Sequence, residues 1–168
     1  AHLDYVPLPG GDAAVREPWR MALSFLLKAF GEKYPRLKSL DRISAPKRKA
    51  VSYLIEKNIN TPLTSSVGRL FDAVSFLVGL APEKIEFEAQ APVSLEAAAS
   101  LARATTGAYH YLFLKDGLPY RLDFSPAIKE ITKELIEGQK PETIAINFHD
   151  TMARAILDVS LQARQEAG

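Results

Sequence analysis

The sequence predicts an α+β unit, mostly helical, with about six helices and one β-hairpin, on three observations. Apolar residues recur at the 3.6-residue period in several stretches that open on proline or serine and close on glycine, as helices do. The period changes once, between residues 109 and 124, to short apolar runs on either side of Asp116-Gly117, the pattern of a hairpin. The chain has 168 residues, 47% of them apolar and 24% charged, which is the balance of a globular protein with one sizeable core.

The elements follow in order. Residues 1–16 carry two prolines and a Gly-Gly pair and read as extended chain and turn. A helix is expected from near Glu17, with Pro18 at its first position, where a missing N–H costs nothing, to a stop at Gly31. Its apolar residues, from Trp19 to Phe30, face nearly all sides, so it is a buried helix with Trp19 in the core. A basic, irregular connection over 32–45 precedes a second helix opened by Pro46 and running to about Asn58. After a turn-like stretch over 60–66, a third helix is expected from near Ser66 to about Leu80. Ser94 reads as the N-cap of a fourth, which ends before Gly107. The hairpin (109–114 and 118–124) is followed by a fifth helix opened at Ser125-Pro126 and stopped by Gly138, and Pro141 opens a last one to about Gln165. No repeat, low-complexity tract or dividing linker interrupts the chain, so residues 1–168 read as a single compact unit.

Composition excludes several classes of function. Twenty-one Lys and Arg against twenty Asp and Glu leave a net charge of +1, so nothing points to nucleic acid or a membrane surface. The absence of cysteine excludes a disulfide framework, a Cys-ligated zinc and a thiol nucleophile, and fits a cytoplasmic protein. No apolar stretch approaches the roughly 18 residues of a membrane span. His2, His110 and His149 show no metal-ligand spacing, so no metal site is expected; His149 reads as a packed residue at the edge of the last helix's apolar stripe.

The third helix carries the main candidates. Val67, Leu70, Phe71, Val74, Leu77 and Val78 gather on one face as a core stripe, while Gly68, Asp72, Ser75 and Gly79 line the opposite face beside Ser65 and Arg69. Glycine inside a helix costs about 1 kcal/mol against alanine, so two on one line imply a close approach to the backbone. The alternative is a solvated face with an Arg69–Asp72 pair. Thr64-Ser65-Ser66 offers hydroxyls and free N–H groups at the helix start, either as an anion site or as plain N-caps. Gly10-Gly11-Asp12 is a tight turn bearing a carboxylate, and Arg16, Glu17 and Arg20 around Trp19 read as a structural ion cluster.

Four stretches, PLPGGDAAVREPWRMA (7–22), PLTSSVGRLFDAVSFLVGL (62–80), FEAQAPVSLEAAA (87–99) and IAINFHDTMARAI (144–156), resemble in order and spacing the C-terminal domain of the HypF family of hydrogenase-maturation carbamoyltransferases. The resemblance implies a portion of an actin-like ATPase fold of the ASKHA type. It also implies an activity. HypF enzymes use carbamoyl phosphate and ATP, by way of a carbamoyl-adenylate, to carbamoylate the C-terminal cysteine of the partner HypE. In related tRNA-modifying enzymes the equivalent helix carries an aspartate at the nucleotide, and Asp72 matches it. The candidate nucleotide-binding set is therefore Asp72, Gly68, Arg69, Ser65, Ser66, Gly11 and Asp12, with Asp72 expected to face a cleft and no catalytic residue assigned.

The family pattern usually has a glycine where this chain has Ala89, and Pro92 is also unexpected. By the same resemblance the metal ligands and the glycine-rich phosphate loop lie outside residues 1–168, so the chain reads as an internal piece of the domain, inactive by itself. Two rival readings are a stand-alone, non-catalytic helical binding module of the same ancestry and a tRNA-modifying relative; the GGDAAVREPWR segment argues against the second.

Overall fold

The computed structural model describes residues 1–105 and 107–167. Its centre is the helix that the sequence marks as buried all round, here α2 (Pro18–Phe30), where Trp19, Met21, Leu23 and Leu26 are 1% exposed or less. Each such side chain withdrawn from water stabilises the fold by about 1.5–3 kcal/mol. Pro18 opens the helix, and Gly31, at φ 67°, closes it in a conformation that favours glycine.

Two short helices, three short strands and a 3₁₀ turn join the expected set. Residues 1–16, expected as extended chain and turn, contain two two-residue strands, β1 (His2–Leu3) and β2 (Val6–Pro7), and a short helix, α1 (Asp12–Arg16). The strands exist through distant partners, which no local pattern reveals. Within the connection over 32–45, a 3₁₀ turn at Gly31–Lys33 leads to α3 (Lys38–Asp41). That segment is anchored rather than irregular: Leu37, Leu40 and Ile43 are buried, and Arg42 Nη2 donates to the Ala81 carbonyl at 2.9 Å.

The second expected helix is α4 (Ala45–Glu56), with only Val51 fully buried. The turn-like stretch after it contains β3 (Leu63–Thr64), which pairs antiparallel with β2, Val6 opposite Thr64 and Pro7 opposite Leu63. Proline is tolerated there because β2 and β3 form a two-stranded sheet in which each is an edge.

Helix α5 (Val67–Leu77) ends three residues short of expectation, and Gly79, at φ 87°, is its left-handed stop rather than an interior residue. Helix α6 (Gln90–Leu101) starts earlier than expected. Ser94 is inside it, its hydroxyl donating to the Gln90 carbonyl four residues back at 2.9 Å, and Pro92 falls in the first turn, where its missing N–H is harmless.

The hairpin consists of β4 (Leu112–Leu114) and β5 (Arg121–Asp123), joined by a longer loop than a tight Asp-Gly turn. Residues 109–111 leave the ladder because other elements take their hydrogen bonds: Tyr109 N–H donates to Thr151 Oγ1 at 2.8 Å, and His110 N–H to Glu130 Oε2 at 3.1 Å. Strand β1 adds to β5 in parallel, giving a three-stranded sheet of order β1-β5-β4. Helix α7 (Ser125–Ile136) is capped by Asp123, whose Oδ1 accepts from Ser125 N–H at 2.9 Å and from its hydroxyl at 2.7 Å. The last helix, α8 (Pro141–Ala167), packs along α6.

The described residues thus hold eight α-helices, the shortest of four and five residues, and five short strands. Helix α5 packs on α2 and on α6, so it is covered on more than one side. Among the described residues, no helix is long and apolar enough to cross a membrane.

Candidate functional site

The second face of α5 is more enclosed than a helical wheel implies. Ser75 is 0% and Asp72 2% exposed, because α2 and α6 both pack on the helix. On the expected core stripe, Leu70, Val74, Leu77 and Val78 are buried, Phe71 is half-buried, and Val67 is 44% exposed. Asp72 therefore does not face a cleft directly. Arg69, one turn earlier, lies over it, with Nη2 2.9 Å from Oδ2.

The electrostatics of that pair are unusual for a carboxylate. The contact is at ion-pair distance but is not aligned as a hydrogen bond, and Arg69 Nη1, Asp72 Oδ2 and Ser75 Oγ all lack a hydrogen-bond partner among the described residues. Burial pushes the Asp72 carboxyl up to about 6, against the opposing pull of the Arg69 charge. A buried acid whose carboxyl is raised by desolvation beside a single cation is a mark of functional sites.

Arg69 opens onto a cavity of about 530 Å³ lined by Val15 and Arg16 at the end of α1 and by the loop 84–89. That loop is pinned to α1, since Ile85 N–H donates to the Arg16 carbonyl at 2.9 Å, and it folds onto the start of α6, where Glu86 N–H donates to Gln90 Oε1 at 2.7 Å. Phe87 presents its ring at the surface, 57% exposed. Ala89, the last residue before α6, has φ 63° and ψ 10°, a left-handed conformation that glycine adopts freely and alanine does not.

The other candidates separate into two groups. Gly68 is adjacent in the chain to Arg69, and a Cβ there would meet only Ser66 Oγ, at 3.5 Å. Ser66 holds the N-cap position of α5 without a side-chain cap bond; its N–H donates to Thr64 Oγ1 at 3.2 Å, so plain side-chain capping is not its use. Ser65 is half-buried beside it, and neither serine lines the cavity. Gly11 and Asp12 begin α1, in a turn tied to the loop before β3 by Gly10 N–H donating to the Asn60 carbonyl at 2.8 Å. Asp12 is exposed one turn before the cavity-lining pair Val15 and Arg16.

Arg20 does belong to a structural cluster: Nε donates to Glu17 at 2.6 Å, and the guanidinium lies over the Trp19 ring at 5.1 Å. Arg16, read from sequence as part of that cluster, lines the cavity instead. The loop 84–89 was not a sequence candidate. Its one signal is Ala89, where the resemblance expects glycine.

His149 is packed, as its pattern implies, with Nδ1 2.8 Å from the Ala145 carbonyl and its ring against Phe71. Among the described residues, no group of three or more His, Asp or Glu side chains gathers as a metal site.

Comparison with known proteins converges on one family. Residues 1–168 match the family described as carbamoyltransferase, Kae1-like domain, second subdomain. The chain is 33% identical to a carbamoyltransferase HypF homolog of Cupriavidus necator, over 99% of this chain and 43% of that protein. It is 39% identical to the carbamoyltransferase HypF of Rhodobacter capsulatus, over 92% of this chain and 19% of that protein. A full-length HypF crystallised in a phosphate- and nucleotide-bound form superposes with a TM-score of 0.83 at 28% identity, over 98% of this chain and 25% of that one. The HypF of T. kodakarensis superposes at 0.81 and 26% identity, over all of this chain and 22% of that one. The chain spans less than half the length of these relatives, and its mostly helical fold is a portion of their Kae1-like, actin-like ATPase fold.

Proposed function

This chain belongs to the HypF carbamoyltransferase family, and from that membership we propose that it forms the nucleoside side of an ATP-binding cleft in an enzyme of carbamoyl transfer. The observation that carries the reading is Arg69 lying over the buried Asp72 at the edge of an open cavity.

In this reading the enzyme takes ATP and carbamoyl phosphate, passes through a carbamoyl-adenylate, and delivers the carbamoyl group to the C-terminal cysteine of HypE. The nucleotide lies in the cavity, against Arg69 and the loop 84–89. Asp72, buried and without a hydrogen-bond donor among the described residues, gains donors when a ribose hydroxyl or a shifted Arg69 reaches it. A partner for that carboxylate strengthens in a site shielded from water, so binding relieves a cost already present in the fold. Gly68 leaves room for close approach at the start of α5, and Ser65, Ser66, Gly11 and Asp12 stand at the margins of the same surface. A full-length HypF of similar fold crystallises in a phosphate- and nucleotide-bound form, which supports a nucleotide as a ligand of the family.

Positioning and electrostatic stabilisation of an adenylating transition state need oriented phosphates and shielding from water, which one wall of a cleft does not supply. The chain alone is therefore expected to bind nucleotide weakly and not to turn over. The test is calorimetric titration with ATP, alongside ATP–pyrophosphate exchange in the presence of carbamoyl phosphate. Binding by the wild type that Asp72→Ala weakens, with no exchange by the isolated chain, supports the reading. ATP affinity unchanged by Asp72→Ala defeats it.

A further inference from the structure

We propose that Arg16 reads the phosphate of a nucleotide bound in the cavity beside α5, an inference that rests on the nucleotide reading above. Three cations line this cavity: Arg16, Arg69 and Lys84. Arg69 is committed to Asp72, 2.9 Å away. Lys84 shares its loop with Glu86 and Glu88, which line the same cavity, so its charge is offset along its own wall. Arg16 is placed differently. Its side chain is exposed and makes no ion pair among the described residues, whereas Arg20 in the same segment is spent on Glu17 and Trp19. Its backbone is fixed to the cavity wall, because its carbonyl accepts the Ile85 N–H at 2.9 Å.

An arginine anchored at a cavity edge with its guanidinium uncommitted is suited to an oxyanion. The fork donates two parallel N–H bonds to phosphate oxygens and stays charged at every physiological pH. The remaining charges orient the ligand. Glu86 and Glu88 repel a phosphate and accept from hydroxyl and amine donors, and Phe87 between them offers a flat apolar face. The anionic end of the ligand therefore lies toward Arg16 and the sugar and base toward the 86–88 stretch. The ligand class is a nucleoside 5′-phosphate, discriminated from the bare nucleoside by Arg16.

The experiment titrates the wild type, Arg16→Ala and Arg16→Lys with adenosine, AMP and inorganic phosphate at low and high salt. The wild type is expected to prefer AMP over adenosine, with the preference shrinking at high salt as screening weakens the charge pair. Arg16→Ala is expected to lose about tenfold or more in AMP affinity, the scale of a charge-assisted phosphate contact, while adenosine binding stays unchanged. Arg16→Lys recovers part of the loss. The side chain is exposed and the backbone bond to Ile85 survives truncation, so the variant folds; if its melting temperature falls, the lysine variant decides. Equal affinities of the wild type for AMP and adenosine, or an Arg16→Ala effect that is equal on both or absent, overturns the inference and leaves the nucleotide reading standing. Binding of neither adenosine nor AMP by the wild type overturns both.

Discussion

Arg69 lies against the buried Asp72 without satisfying it: the two are 2.9 Å apart, yet the carboxylate is 2% exposed and makes no aligned hydrogen bond. The fold carries this pair at a cost. Since burial raises the Asp72 carboxyl to about 6, the group favours folding while protonated, and its contribution fades as pH rises through about 6. A rise of this size corresponds to about 2–3 kcal/mol, at 1.36 kcal/mol per unit. Asp72→Asn is therefore expected to gain about 2 kcal/mol on the wild type between pH 4 and pH 8. Urea denaturation of both proteins across that range measures the gap, and a gap constant with pH contradicts the assignment. The same variant is expected to bind ATP less tightly, so stability and binding move in opposite directions.

Gly68 offers a separate handle on the same surface. A methyl group there meets only Ser66 Oγ at ordinary contact distance. Gly68→Ala is thus expected to stabilise α5 by up to about 1 kcal/mol, through helix propensity. If the nucleotide approaches this backbone, the same methyl lowers ATP affinity. Thermal melts paired with titrations distinguish the effects, and a more stable variant with unaltered affinity removes Gly68 from the site.

Ala89 is held in the left-handed region at φ 63°, next to the first turn of α6. Ala89→Gly relieves a strain of about 1–2 kcal/mol and loses part of that to the freer unfolded chain, for a net gain of about 0.5–1 kcal/mol. A melting temperature below that of the wild type would show that this residue relaxes out of the left-handed region in solution.

Trp19 is 1% exposed within α2. Truncation to alanine is expected to cost about 3–5 kcal/mol, enough to leave the variant largely unfolded. Since the chain has one tryptophan, its fluorescence reports this site alone. A blue-shifted emission in the wild type that moves to longer wavelength on denaturation is the expected signature.

The six longer helices were legible because they combine period and punctuation, as α2 does between Pro18 and Gly31 and α7 between Pro126 and Gly138, whereas the four- and five-residue α3 and α1 are too short to show a period. The short strands were not, because β1, β2 and β3 are two residues each and are defined by partners up to about 120 residues away in the chain. At the site, periodicity correctly placed Arg69 beside Asp72 but could not show that Asp72 and Ser75 are buried, in a helix on which both α2 and α6 pack. Gly79 misled for a related reason: on a helical wheel a C-terminal stop and an interior glycine look the same. The loop 84–89 has neither period nor a strong turn signal, so its part in the cavity follows from the Ile85–Arg16 bond, a tertiary fact.

The parallel pairing of β1 with β5 also governs the order in which the chain can assemble. Among the described residues, the strand partners of His2 and Leu3 are Arg121 and Leu122. During synthesis, more than a hundred residues separate β1 from its partner β5, while α2, α5 and the β2–β3 pair already have one another. Leu3 therefore lacks its β5 cover until residue 122 is made, and closing that long loop is a slow event relative to the local contacts. A nascent chain stalled before residue 121 is expected to be cut by protease at residues 1–5 while α2 is already protected.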